Sequence, residues 1–118
     1  MVVFKNLGLV SVTMAGEPVE VGQFVSFARQ ALVNEPYLSN AAIIGELTKV
    51  TFARSGHTYF TLTDPNGSID CVLFGGNASF QSQGIKEGNK LVALGGIDVY
   101  VKTGRMQFKA SRLQPVKS

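Results

Sequence analysis

The chain has 118 residues, 45% of them hydrophobic and 16% charged, which fits one globular domain with a modest core and excludes a disordered tail. The formal charge of +3 permits a polyanionic partner without demanding one. A single cysteine, Cys71, and a single histidine, His57, exclude an intrachain disulfide and a structural zinc site, and no apolar run approaches the ~20 residues that span a bilayer.

Met1 to Phe4 are apolar but are followed by Lys5, the reverse of the charge order in a signal peptide. A cytoplasmic protein with no membrane partner, no metal and no cofactor is therefore expected. In residues 1–18, Leu7 to Thr13 suit a short strand before Gly16, Glu17 and Pro18 break the chain. This segment is expected to be an N-terminal arm that pairs with a sheet edge of its own or a neighbouring subunit, a route to a homo-oligomer. Residues 19–118 form the domain proper. Over 19–34, Val21, Phe24, Val25, Ala28 and Leu32 make one apolar stripe at helical spacing, and Pro36 stops the helix.

From Ala41 the period changes to two. Ala41 to Val50 is a predicted strand in which Gly45 allows sharp coiling. In His57 to Thr63, Thr58, Phe60 and Leu62 share one face while His57, Tyr59, Thr61 and Thr63 share the other. Asp64, Pro65, Asn66 and Gly67 then close a hairpin onto the strand Ser68 to Phe74, in which Val72 and Phe74 share the outer side with Tyr59 and Cys71 lies inside. The connection Gly75 to Gly88 holds a helical turn near Ala78 to Gln83. A fourth strand runs Leu91 to Val101 with a bulge or corner at Gly95 and Gly96, and after a turn at Thr103 and Gly104 a fifth runs Arg105 to Leu113. Five short, glycine-bent strands must resolve their edges, and a small barrel does so. The fold class predicted is all-β with an N-terminal α-helix, a five-stranded OB-fold barrel.

Ser55 to Leu62 reads SGHTYFTL and is followed by the Asp64 turn, CVLF at Cys71 to Phe74, then Tyr100, Gly104 and Gln107. On these residues, and on the helix from Val19 and the Gly45-Glu46 pair that precede them, the chain resembles the N-terminal OB-fold domain of the exodeoxyribonuclease VII large subunit over roughly residues 19–116. In that family the domain grips single-stranded DNA and a separate C-terminal region carries the nuclease chemistry. The resemblance therefore implies binding without catalysis, in either an excised domain or a free-standing relative. Asp70 departs from the family, standing where its members often carry a basic residue.

Single-strand binding needs flat side chains for unstacked bases and cations along the backbone's path. His57, Tyr59, Phe74 and Tyr100 are the candidate stacking residues, and Thr61 and Thr63 offer hydroxyls. Lys49 and Arg54 on one wall, and Lys102, Arg105 and Lys109 on the other, are the candidate phosphate ligands. Each has a plainer alternative. His57 would bond a backbone group, Tyr59 would cap the barrel, Phe74 would pack under the following loop, and the last three cations would be solvated edge charges. RNA competes with DNA as the ligand, since stacking and phosphate contacts suit both, and a protein-interaction module of the same fold is the rival function. An enzyme is not expected: Glu46, Asp64, Asp70 and Asp98 lie on different strands and turns, and His57 with Ser55 lacks a third group.

Overall fold

The computed structural model describes residues 16–117. The predicted arm therefore lies almost wholly outside the described residues. Two helices lead, α1 (Val21–Val33) and α2 (Pro36–Ser39), followed by β1 (Ala41–Phe52), β2 (Thr58–Asp64) and β3 (Gly67–Leu73). After α3 (Gly76–Gln83) come β4 (Lys90–Tyr100) and β5 (Arg105–Pro115). The strands close in the order β1-β2-β3-β5-β4, with β4 returning to β1. All pairings are antiparallel except β3 with β5. The expected five-stranded barrel is the architecture found.

Its interior follows from the period-two pattern. Phe60 and Leu62 of β2, Cys71 and Leu73 of β3, Leu91 and Ala93 of β4, and Phe108, Ala110 and Leu113 of β5 meet Leu47 of β1 in one buried cluster. The barrel end is stopped by α3, whose Phe80 lies against Phe60 (ring centroids 5.5 Å apart) and edge-on to Phe52 (5.7 Å). Gly84 ends α3 in the left-handed region (φ 64°), a conformation only glycine adopts cheaply. The β2–β3 turn is held as the sequence predicts, with Asp64 Oδ1 accepting from the N–H groups of Asn66 (2.7 Å) and Gly67 (2.9 Å). The corner expected at Gly95 and Gly96 is a register shift between Leu94 and Gly95 in the β4–β5 ladder.

Two expectations are corrected. The stripe in α1 does not face the core as a unit: Val21 and Phe24 stand 79% and 63% exposed, and Phe27, outside the stripe, is the buried residue. The helix has more apolar residues than one face can hold, so its rotation is set by what it rests on, the outer side of β4 and α2. Val72 faces outward with Tyr59 but is buried, because the register sets this short side chain between Tyr59 and Lys109.

Candidate nucleic-acid interface

Outward positions of neighbouring strands line up in two rows across one face of the barrel. The first runs Lys49, Thr61, Asp70, Gln107 and Asp98, and the second Thr51, Tyr59, Val72, Lys109 and Gly96. Tyr100, paired with Arg105, ends β4 beside them. Two hollows follow. One, of about 290 Å³, is lined by Lys49, Tyr59, Thr61, Asp70, Arg105 and Gln107 among others. The second, of about 340 Å³, holds Tyr59, Val72, Phe74, Tyr100, Gln107 and Lys109 in its wall. Tyr59 is the ridge they share. Tyr59, Phe74 and Tyr100 are all substantially exposed, so these rings are open to a ligand.

His57 precedes β2 and has a structural bond: its Nδ1 accepts from the Gly75 N–H at 2.9 Å. That is the backbone bond its plainer reading anticipates. The imidazole also stands edge-to-face with Phe74, centroids 4.9 Å apart and planes at 89°. Lys109 Nζ lies 5.9 Å from the Phe74 centroid, within the range of a cation–π contact. His57 therefore props Phe74, and Phe74 faces solvent rather than packing under the loop that follows it.

The turn at residues 53–57 is clamped from α3. Asn77 donates from Nδ2 to the Ala53 carbonyl (2.9 Å), its N–H reaches the Gly56 carbonyl (3.0 Å), and its Oδ1 accepts from the buried Thr58 hydroxyl (2.7 Å). This clamp positions Arg54 at one hairpin tip. Lys102 occupies the other tip, after β4. Neither lines the hollows, so the structure gathers Lys49, Arg105 and Lys109 on the face and sets Arg54 and Lys102 at its ends.

The five cations are not equally free. Lys109 Nζ is 2.7 Å from Asp98 Oδ2, and Arg105 Nη2 is 3.6 Å from Asp70 Oδ2. Lys49, Arg54 and Lys102 have no ion pair among the described residues. Asp98 also takes Arg29 Nε of α1 at 2.7 Å and the Val99 N–H at 2.8 Å. It thus ties the helix to the barrel while pairing with Lys109 on the face. Sequence reading missed this role, because it needs the β4–β5 register and the packing of α1, neither of which a local pattern reveals.

Burial alone would raise the Asp98 pKa. The hydrogen bonds from Lys109, Val99 and Arg29, with the charge of Lys109, outweigh it and hold the carboxyl below its ordinary 3.8. A carboxylate whose pKa is depressed by folding adds stability above its unfolded pKa, and that stability is lost as pH falls through the folded value. Wild type should therefore be more stable than Asp98→Asn at neutral pH, with the difference closing as pH drops below about 4. Chemical denaturation of both proteins across pH 2 to 7 measures this. Cys71, by contrast, is pushed up to about 12 by burial, aided by the charge of Asp70 against the bond from Leu62. It is an inert core thiol, as its inward position predicts. Among the described residues no cluster of three or more His, Cys, Asp or Glu side chains could hold a metal ion, and no helix is long and apolar enough to cross a membrane.

Residues 19–114 match the model of a family described as "OB-fold nucleic acid binding domain". The chain is 33% identical over 97 residues, 82% of its length, to an exodeoxyribonuclease 7 large subunit of Alkaliphilus oremlandii, of which it spans 24%. It is 39% identical over 87 residues, 73% of its length, to the corresponding subunit of Helicobacter pylori, of which it spans 20%. The resemblance read from SGHTYFTL and its neighbours is thus found across most of the chain, which spans only about a quarter of these relatives. Among solved structures, Schizosaccharomyces pombe Pot1pC bound to ssDNA is similar in fold with a TM-score of 0.56 at 13% identity, over 74% of this chain and 86% of that one. A replication protein A heterotrimer bound to ssDNA aligns at the same TM-score of 0.56 and 12% identity, over 69% of this chain and 60% of that one.

Proposed function

The chain belongs to the OB-fold nucleic acid binding domain family, and from that membership we propose that it binds single-stranded DNA with little sequence preference. The observation that carries this is the convergence of three exposed rings, Tyr59, Phe74 and Tyr100, on one hollow with Lys109 in its wall, beside a second hollow edged by Lys49 and Arg105. Exposed rings that share one hollow take unstacked bases by their π-faces, and the flanking cations take the phosphates between them. Thr61, on the same row as Lys49, would bond a base or sugar through the hydroxyl that donates to Asp70 in the free protein. His57 acts through Phe74, while Arg54 and Lys102 meet the strand where it enters and leaves. The role proposed for residues 19–114, the part that matches the family, is binding. DNA is the preferred ligand because the fold neighbours described above were solved with it.

The ion pairs sharpen the salt response. Arg105 and Lys109 must exchange a carboxylate for a phosphate, so their net counterion release is small. Lys49, Arg54 and Lys102 remain as full contributors. With three such contacts, log K for oligo(dT) should fall with log salt at a slope of about −2, since single strands release roughly 0.7 counterion per contact. Lys49→Ala should reduce the slope by about 0.7, and Lys109→Ala by less. Fluorescence anisotropy across a salt series measures both. Absence of salt-sensitive binding at low ionic strength would refute the proposed function.

A further inference from the structure

Two carboxylates lie on the face that would receive a polyanion, and only one has a structural reason to be there. Asp98 is 15% exposed and committed to Lys109, Arg29 and the Val99 N–H, each within 2.8 Å. Asp70 is 51% exposed and loosely held: its Oδ1 takes the Thr61 hydroxyl at 3.3 Å, and its Oδ2 stands 3.6 Å from Arg105. Both oxygens keep acceptor capacity, since an ionised carboxylate offers about four lone-pair sites. This group repels every phosphate that passes, yet it faces the hollow lined by Tyr59, Lys49, Arg105 and Gln107.

We propose that Asp70 makes this hollow a guanine-selective subsite within an otherwise tolerant groove, a reading that rests on the single-strand binding proposed above. Unstacked bases in single strands are recognised on their Watson–Crick edges. Guanine presents two N–H donors side by side on that edge, at N1 and N2, which match the two oxygens of one carboxylate. The adjacent O6 is an acceptor for the cations Lys49 or Arg105. Thymine instead turns two carbonyls toward the carboxylate around one N–H. Adenine and cytosine each offer one amino group beside a bare ring nitrogen. A base stacked on Tyr59 lies next to Asp70, because Tyr59 pairs with Val72, two residues along β3 on the same outward side.

The test compares a short oligo(dT), the same strand with one central guanine, and the same strand with inosine there, which lacks the N2 amino group. Wild-type protein should bind the guanine strand roughly 5- to 150-fold more tightly than oligo(dT), the range for one bidentate base contact, with the inosine strand in between. Asp70→Ala should bind oligo(dT) more tightly than wild type does, and its guanine advantage should shrink to within about twofold, because the repulsion and the bidentate contact leave together. Equal wild-type binding of the guanine strand and oligo(dT) would overturn the proposal, as would a guanine advantage that survives Asp70→Ala. The inosine comparison needs no change to the protein, so it decides even where the variant folds poorly. Failure of all three strands to bind at low salt would instead remove the single-strand reading itself.

Discussion

Tyr59→Ala is expected to weaken oligo(dT) binding by roughly 5- to 150-fold, the equivalent of the ~1–3 kcal/mol that one base stacked on an aromatic side chain contributes. Tyr59 stands on the outer face of β2, 43% exposed, and its ring forms a wall of both hollows. Among the described residues no other ring lines both hollows. Phe74 and Tyr100 line only the second hollow, so alanine there should cost less. His57→Ala should give part of the Phe74→Ala effect, since His57 props Phe74 edge-on. The fold should survive Tyr59→Ala, because the inward neighbours Thr58 and Phe60 carry the buried contacts. The salt slope should also hold, because no phosphate ligand is removed. Anisotropy titration at fixed salt measures the loss, and a thermal melt checks the fold. Wild-type affinity in a folded Tyr59→Ala protein would mean the strand does not cross this face.

The strands were legible because their chemistry is local. In β2, alternation alone separates Phe60 and Leu62 from Tyr59 and Thr61, and the barrel obeys it. Asp64 and Gly104 mark turns by side-chain bonding and by positive φ (72° at Gly104). The helix was legible in extent but not in rotation. Its stripe has rival solutions, and the one realised brings Arg29 to Asp98, a partner 69 residues away. The same limit governs the site. Sequence order places Lys109 and Arg105 on one strand as two free cations. Register places Gln107 between Asp70 and Asp98, so each cation finds a carboxylate on the neighbouring strand. Gln107, a wall of both hollows, was not among the candidate ligands, although its alternation with Phe108 marks it as outward.

That register depends on the β4–β5 seam, which makes Gly95 the position where one methyl group should cost most. A Cβ at Gly95 would overlap the Lys109 carbonyl oxygen and come within 2.9 Å of Ala110 Cα. These are backbone atoms of the paired strand, fixed by the ladder, so no side chain can swing aside. Gly95 does not have positive φ, so the cost is steric and not conformational. The two strands would have to part at the register shift between Leu94 and Gly95, opening the buried interior at Ala93 and Ala110. Gly95→Ala should lose about 3 kcal/mol, the upper end of ordinary overpacking costs, in a domain whose whole stability is of order 5–15 kcal/mol. For a domain this size the midpoint should fall by roughly 10–20 °C. Gly67→Ala is the control: nothing lies within 4 Å of its added Cβ and its φ is not positive, so it should stay within about 0.5 kcal/mol of wild type. Because Lys109 supplies the clashing carbonyl, Gly95→Ala should also disturb the Lys109–Asp98 pair and weaken DNA binding beyond what its stability loss explains. A calorimetric midpoint equal to that of Gly67→Ala would show that the seam yields easily, and the cross-strand rows that build the face would then lose their rigid support.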